Sequence, residues 1–331
     1  MTRQVIFAAL TTLIATGPAS VQVRVLEAGS AGEGDGTLTL AVDGEAFTTF
    51  RVGPSQAKPF FAPLLAPGGI AVTRGLDAAE LVGDRPNGRG SAHPHHKGLW
   101  VAIQKVTVGG KKLDHWHERH AIATRTQVIT QLTDTVRLDV VNDWLDGDGQ
   151  PVLAEATRWT ISPDRLVAAD MVFLPAGDKP VTFEDTKEGF FAVRIANELR
   201  AMANATTVIS NADGLVGADA CWGRRSDWVD YSGEVDGRRV GVTIFDHPEN
   251  RYQARYHVRA YGLFAANPFG ESAYTDGRQP PRPLTLVAGP DGQSLRLRYA
   301  AWIHGDVTTA DIADRYRVYV EASRSGAVVG E

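Results

Sequence analysis

Several things are scarce in this sequence, and each shortage excludes a class of protein. Among 331 residues Cys221 is the only cysteine, so neither an intrachain disulfide framework nor a cysteine-built metal site is available. No apolar run approaches the ~18–20 residues that a membrane-spanning helix needs. Positive charge is in deficit: 34 Lys+Arg stand against 39 Asp+Glu, for a formal net charge of -5. Without a basic excess to neutralise phosphates, a charge-driven nucleic-acid binder is excluded. Helix signals are few. What the chain does have is 43% hydrophobic and 22% charged residues, an ordinary globular balance that rules out disorder and can fill a large core.

Residues 1–20 read as a secretory signal peptide. Arg3 gives a weakly charged start, residues 5–15 are largely apolar, and Gly17-Pro18-Ala19-Ser20 offers small residues for cleavage. The competing reading is a first β-strand rich in Ile, Val and Thr. The first places the mature protein in the periplasm or outside the cell, the second in the cytoplasm. Residues 21–331 hold no long linker and no internal repeat, so a single domain is expected.

Past Val21 the pattern is short alternating apolar runs, broken by Gly, Asp, Asn and Pro. Period and β-branched content predict strands at 37–42, 46–52, 99–106, 127–132, 136–141, 157–161, 166–174, 189–195, 240–245, 257–264, 284–287 and 294–303. Asp43-Gly44, Asp236-Gly237 and Asp291-Gly292 are hairpin-type turns, as is the Asp146-Gly147-Asp148-Gly149 run. One C-terminal helix is predicted from Thr308 to about Val320, and a short helical turn at 197–203. The fold class that follows is all-β: a large antiparallel β-sandwich with one short C-terminal helix.

Chemistry concentrates in five clusters. Six of the nine histidines fall between His93 and His120. His93-Pro94-His95-His96-Lys97-Gly98-Leu99-Trp100 is a Gly- and Pro-rich loop running into a strand, the kind of segment that carries function on a rigid scaffold. His115-Trp116-His117-Glu118-Arg119-His120 follows about twenty residues later and can lie alongside it. On an extended backbone His93 and His95 share one side with His96 opposite, and His115 and His117 alternate likewise. Imidazoles so placed can shuttle protons or ligate Zn, Mn or Fe. The metal reading takes His93, His95, His115 and His117 as candidate ligands.

The third cluster, Glu184-Asp185-Thr186-Lys187-Glu188-Gly189, leads into a strand carrying Arg194. It is either a solvated charge run or a substrate-binding and acid–base pair. The fourth, residues 221–233, sets Trp222, Trp228 and Tyr231 among Arg and Asp, which suits either a sugar-stacking platform or a packed core. The fifth comprises Asp246-His247-Pro248-Glu249-Asn250, then His257 and Arg259 on one strand face, then Asn267-Pro268-Phe269-Gly270. His304 closes another strand.

Taken in order, His93 to Trp100, Asp185 to Gly189, Trp228-Val229-Asp230-Tyr231-Ser232-Gly233, Asp246 to Asn250 and Asn267 to Gly270 resemble a bacterial family labelled "methane oxygenase PmoA", or PmoA-like. The resemblance runs from about Ala46 to His304. Where that family tends to have Asn-Gly-x-Asp-Phe-Trp, this chain has Gly110-Lys111-Lys112-Leu113-Asp114-His115-Trp116, so His115 and His117 are less firmly part of a shared site. The oxygenase label does not fit literally, because membrane oxygenase subunits are built from transmembrane helices. The resemblance implies instead a galactose-mutarotase-like supersandwich, to which the His96-to-Trp100 strand entry is loosely similar.

The expected function is an exported carbohydrate-active enzyme: an epimerase, lyase or hydrolase acting on a sugar or sugar-derived substrate. His96 and His247 exchange protons, with Glu188 or Glu118 as the carboxylate. Lys97, Lys187, Arg194, Asn250, His257, Arg259 and Asn267 bind the substrate, and Trp100, Trp228 and Tyr231 stack on its ring. The alternatives are a metal-dependent enzyme using the histidine-rich loop, and a non-catalytic carbohydrate-binding protein.

Overall fold

A computed structural model describes residues 21–28, 35–289 and 292–325. The signal-peptide reading of residues 1–20 and the Asp291 turn fall outside the described residues. Two large antiparallel sheets face each other. The first runs in the order Val23–Ala28, Gly36–Val42, Glu45–Val52, Phe60–Ala66, Leu99–Ile103, Gly189–Arg194, Leu263–Asn267, Arg255–Val258, with Ile70–Ala71 added beside Phe60–Ala66, making nine strands. The second has eight: Val208–Asn211, Trp228–Val235, Arg238–Asp246, Leu295–His304, Leu166–Pro175, Pro151–Ile161, Val136–Leu145, Ile122–Gln131. A four-stranded sheet, Leu284–Leu286, Val181–Phe183, Val106–Val108, Lys111–Leu113, completes the architecture. The expected all-β sandwich is what the chain forms.

Rings from alternate sheets interleave in the core. Phe61 meets Trp159 at 4.9 Å, Trp159 meets Phe191 at 6.2 Å, and Phe191 meets Tyr299 at 5.5 Å. Inner and outer faces alternate along Val136–Leu145, as one-sided burial demands. Leu99–Ile103, Gly189–Arg194 and Leu263–Asn267 are instead buried at every residue. One of their faces packs on the second sheet, and the other lies beneath loops. That covered outer face carries the site.

The Asp43-Gly44 and Asp236-Gly237 hairpins have both turn residues at positive φ, as the twist of two-residue hairpin loops requires. The predicted strand 99–106 is interrupted at Gln104 and Lys105, where the chain passes from the nine-stranded to the four-stranded sheet. The predicted strand 257–264 is broken by a turn closed by Gly262 N–H to Arg259 O. The helix, Thr309–Ser325, is longer than expected. Thr308 and Asp311 cap it reciprocally, each side chain accepting the other's backbone N–H. Its Ile312, Tyr319 and Val320 pack on Trp228, Phe245 and Trp302 outside the eight-stranded sheet.

His304 holds that sheet electrostatically. Its Nδ1 lies 2.9 Å from Gly305 O and its Nε2 2.9 Å from Asp230 Oδ1, so both nitrogens donate and the ring is an imidazolium. Burial alone would lower its pKa, but the Asp230 carboxylate and the Gly305 carbonyl outweigh burial and raise it. The resulting stabilisation is complete below the ordinary histidine pKa and is lost as pH rises through the raised one. His304→Gln is expected to cost about 3 kcal/mol near pH 6, because it leaves Asp230 buried without its cation. Urea midpoints should show a smaller cost near pH 9, and an equal cost at both pH values would disprove the imidazolium assignment.

Candidate active site

The floor of the site follows from strand register. Trp100 pairs with Ala192, Ala192 with Ala265, and Ala265 with His257. Cross-strand partners point to the same side of a sheet, so these four share one face, and Arg194 joins them two residues beyond Ala192. The two alanines leave a trough between Trp100 and His257. Gly98 lets the incoming loop lie against the neighbouring strand, since a Cβ there would sit 2.0 Å from Phe61 O.

Residues 84–98 form one wall. His93 adopts φ +48°, a left-handed conformation, and His96 N–H bonds back to His93 O at 2.9 Å. The segment is therefore a turn and not the extended run expected, so His93, His95 and His96 all converge. The His93 ring stacks on His96 at 4.7 Å and on Tyr261 at 5.5 Å, while Asp84 Oδ2 lies 3.3 Å from its Nε2. His96 is 2% exposed and stacks against Trp100 at 5.6 Å. Arg74 holds the loop from behind by donating to the carbonyls of Ala92, His93 and His96.

Residues 114–120 make a second turn. Asp114 accepts the His117 N–H at 2.9 Å and lies 3.0 Å from His117 Nδ1. That sets the His117 ring 4.7 Å from His95. The turns are joined by Lys58, which is 1% exposed and donates to His95 O at 2.8 Å, Trp116 O at 3.3 Å and Glu118 Oε1 at 2.8 Å. Burial brings its pKa down to about 8, against the pull of Glu118. A single Lys before Pro59 carries no sequence signal, and residue-by-residue reading misses it.

The opposite wall is built by Glu188. Asn267 Nδ2 donates to Thr186 O at 2.8 Å, and Tyr274 Oη donates to Lys187 O at 2.7 Å. His257 Nδ1 donates to the same Lys187 carbonyl at 3.0 Å, and its Nε2 accepts from Arg259 Nε at 3.2 Å. With both nitrogens engaged, His257 is a neutral positioning residue; burial, with Arg259 adding, drives its pKa to about 3. Arg259 lies over the Trp222 ring at 4.9 Å. Glu188 is 3.7 Å from His257 Nδ1 and 3.9 Å from Lys187 Nζ, and burial raises its pKa. An open cleft of ≈ 360 Å³ is lined by Asp84, His93, Lys187, Glu188, Met202, His257, Arg259, Ala260 and Tyr261. Under Tyr261 lies Arg194, fully buried, its guanidinium 5.1 Å from the ring centroid and its nitrogens without a hydrogen-bond partner among the described residues.

A family model described as "Family of unknown function (DUF6807)" matches residues 37–317, the span that supplies both large sheets apart from the strand Val23–Ala28, and every wall of this cleft. The chain belongs to the DUF6807 family. No curated protein matches it. Among solved structures it is similar to a GH36 α-galactosidase from Geobacillus stearothermophilus, at 10% identity and a TM-score of 0.39 over 63% of this chain; the match spans about a third (32%) of that enzyme. It is also similar to a galactose 1-epimerase from Lactobacillus acidophilus, at 9% identity and a TM-score of 0.37, covering 87% of this chain and 99% of that one.

In the DUF6807 chain some expected site residues lie elsewhere. His247 is not near His96. Its Nδ1 accepts Glu249 N–H, so Nε2 carries the hydrogen and donates to Ser323 Oγ at 2.6 Å, pinning the C-terminal helix. A ring so committed cannot also serve as a base, and burial, with Arg298 adding, lowers its pKa to about 4. Asn250 braces the same turn through Asp246 and Arg298. Trp228 is core beneath the helix, and buried Tyr231 donates to Ala260 O while accepting Ala201 N–H. Neither offers a ring face to a sugar. Trp100 is buried under His96, and Asn267 holds the Glu188 loop without facing the cleft. His115 lies tilted against Trp144 at 4.8 Å and donates to Leu145 O, away from His95. Glu118 is committed to Lys58 and, at 3.6 Å, to Lys97.

His93, Lys187, Glu188, His257 and Arg259 do come together, with Asp84 and Tyr261, which sequence reading did not single out. His96, enclosed by Trp100 and His93, touches the cleft only through its neighbours. His96→Ala is therefore expected to cost about 2 kcal/mol of stability by opening a cavity. Lys58→Met is expected to cost about 2–3 kcal/mol, since two buried carbonyls lose a charged donor. Hydrogen exchange in Lys58→Met should quicken in residues 93–98 and 114–120 together; unchanged exchange in either turn would refute the joining role.

Proposed function

We propose that the DUF6807 cleft is the active site of a carbohydrate-active enzyme that moves a proton on a sugar or sugar-derived substrate. The observation that carries this reading is Glu188. Its carboxyl forms part of the cleft wall, burial raises its pKa, and the nearest nitrogens, neutral His257 Nδ1 at 3.7 Å and cationic Lys187 Nζ at 3.9 Å, lie beyond hydrogen-bond reach. A carboxyl held ready but uncommitted is what a proton-exchanging group requires. Lys187, Arg259 and Asp84 surround it with donors and an acceptor suited to hydroxyls, and Tyr261 adds an aromatic edge. The cleft volume of ≈ 360 Å³ suits a ligand of one or two sugar rings.

In this mechanism Glu188 takes the proton from the substrate, while Lys187 and Arg259 hold neighbouring oxygens and stabilise the charge that develops. His257 holds Arg259 and the Lys187 carbonyl, which keeps Glu188 aimed at the cleft. Epimerisation and elimination begin with this abstraction, and in hydrolysis the same carboxyl would give a proton to the leaving oxygen or take one from the attacking water, so the reading names the class and not the product. Export remains part of the proposal through residues 1–20, and so does the resemblance to the PmoA-like label.

The test is Glu188→Gln, assayed by NMR against a panel of aldoses, uronates and glycosides. The expected loss is about 10²–10⁴-fold in kcat, with the melting temperature of the wild type retained. Because the Glu188 pKa is raised, the acid limb of kcat/KM should lie above the ordinary carboxylate range, with activity rising as Glu188 ionises. Sugar binding with no turnover in the wild type would replace the enzyme by a carbohydrate-binding protein. Turnover unaffected by Glu188→Gln would remove Glu188 from its role.

A further inference from the structure

The nine histidines divide by what their ring nitrogens do. His304, His257 and His247 have both nitrogens engaged by protein groups. His120 Nδ1 accepts Asp114 N–H, and His115 is fixed by Nε2 on Leu145 O, its buried Nδ1 unpartnered beside Trp144 and apart from the others. The other four, His93, His95, His96 and His117, belong to two different turns and gather in one place. Ligand atoms of His93, His95 and His96 all lie within 4.8 Å of one another, and the His117 ring is 4.7 Å from that of His95. Among the described residues His95 Nε2 and His96 Nδ1 are buried with no hydrogen-bond partner, and His96 is 2% exposed. Buried polar atoms of this kind are costly to leave unpaired.

From this arrangement we infer that His93, His95, His96 and His117 form a binding site for a divalent first-row transition metal of the Zn²⁺ type, with the His93 ring turning out of its parallel stack on His96 so that both lone pairs reach the ion. Two of the four carry the outer carboxylate that metal-bound histidines usually have: Asp84 at His93 Nε2 and Asp114 at His117 Nδ1. Each carboxylate takes one ring nitrogen and leaves the other as a lone-pair donor. The donor set is all imidazole, which favours Zn²⁺ over Mn²⁺ or Mg²⁺, ions that prefer carboxylate oxygen. Lys58, Lys97 and Arg194 oppose a cation here, and Asp84, Asp114, Glu118 and Glu188 offset them. His93 also lines the cleft, so an ion held by this set borders the substrate space. Four imidazoles close the tetrahedral shell that Zn²⁺ prefers, so the ion would serve there to hold the two turns that frame the cleft.

This inference stands apart from the proton-transfer role of Glu188, and its test reads binding instead of activity. The full chain, stripped with chelator and dialysed, is reloaded with Zn²⁺ alone and then with Co²⁺ alone. Expected are about one equivalent of metal per chain by elemental analysis, a rise in melting temperature with Zn²⁺, and a visible d–d absorption band with Co²⁺. His96 is packed too tightly to serve as a probe, so the variants are His95→Asn and His117→Asn, both at part-exposed residues. Each should lower Zn²⁺ affinity at least tenfold while the metal-free melting temperature stays near that of the wild type. No stoichiometric Zn²⁺ in the reloaded wild type overturns the site, and so does full retention of Zn²⁺ affinity in both variants. If Glu188→Gln abolishes turnover in a chain that binds no metal, the proposed function stands and this inference falls.

Discussion

A single buried ammonium joins the two turns that carry most of the histidines. Lys58 binds a carbonyl from each turn and the Glu118 carboxylate, and it lies 5.6 Å over the Trp100 ring. Placing a charge there costs desolvation, which is why its pKa falls to about 8. That cost is offset because three oxygens converge on one nitrogen, which a neutral side chain could not satisfy. Without it the turns would have only ring contacts and the longer Lys97–Glu118 ion pair to hold them together. His95, His117 and the cleft wall at His93 all depend on that positioning.

Around this centre the molecule repeats one device: side chains that secure backbone carbonyls in loops lacking a ladder of their own. Arg74 does so for the first turn, Asn267, Tyr274 and His257 do so for residues 186–187, and Asn250 does so at Arg298. Buried loops need such partners because their polar groups have no water to bond. His93, His95, His96 and His117 lie outside this network, close together and with nitrogens to spare for a ligand, whereas the spare Nδ1 of His115 lies apart beside Trp144. Glu188 is in the same position, held by its backbone and free at its carboxyl.

The fold class was legible because half-buried strands print a period of two on the sequence, and Asp-Gly pairs mark hairpins. Phe60–Ala66 escaped notice because Pro63 interrupts it, and Trp228–Val235 because its Trp, Asp and Tyr looked like a binding surface. Both faces of Trp228–Val235 are covered, so the alternation that identifies a strand is absent. The site was half legible. Histidine density marked the right loops, and the Asp185-to-Gly189 and Asn267-to-Gly270 segments proved to be two halves of one clamp. His247 misled because a Pro-fixed turn at a strand end looks the same in sequence whether it faces a cleft or a helix. Lys58, Asp84 and Tyr261 act through distance in space, which a linear pattern of types does not encode.

The floor of the cleft joins Leu99–Ile103, Gly189–Arg194, Leu263–Asn267 and Arg255–Val258, strands whose contacts span much of the chain. Loop closure over such separations makes assembly slow, and non-local β-pairing of this kind lies at the slow end of domain folding. The cleft exists only where strands from residues 99 to 267 are brought together, and a fragment lacking any one of them cannot form it. A ligand that recognises only the finished cleft draws its binding free energy against the folding equilibrium of the whole molecule. Ligand occupancy and survival against proteolysis are in that sense one quantity measured in two ways.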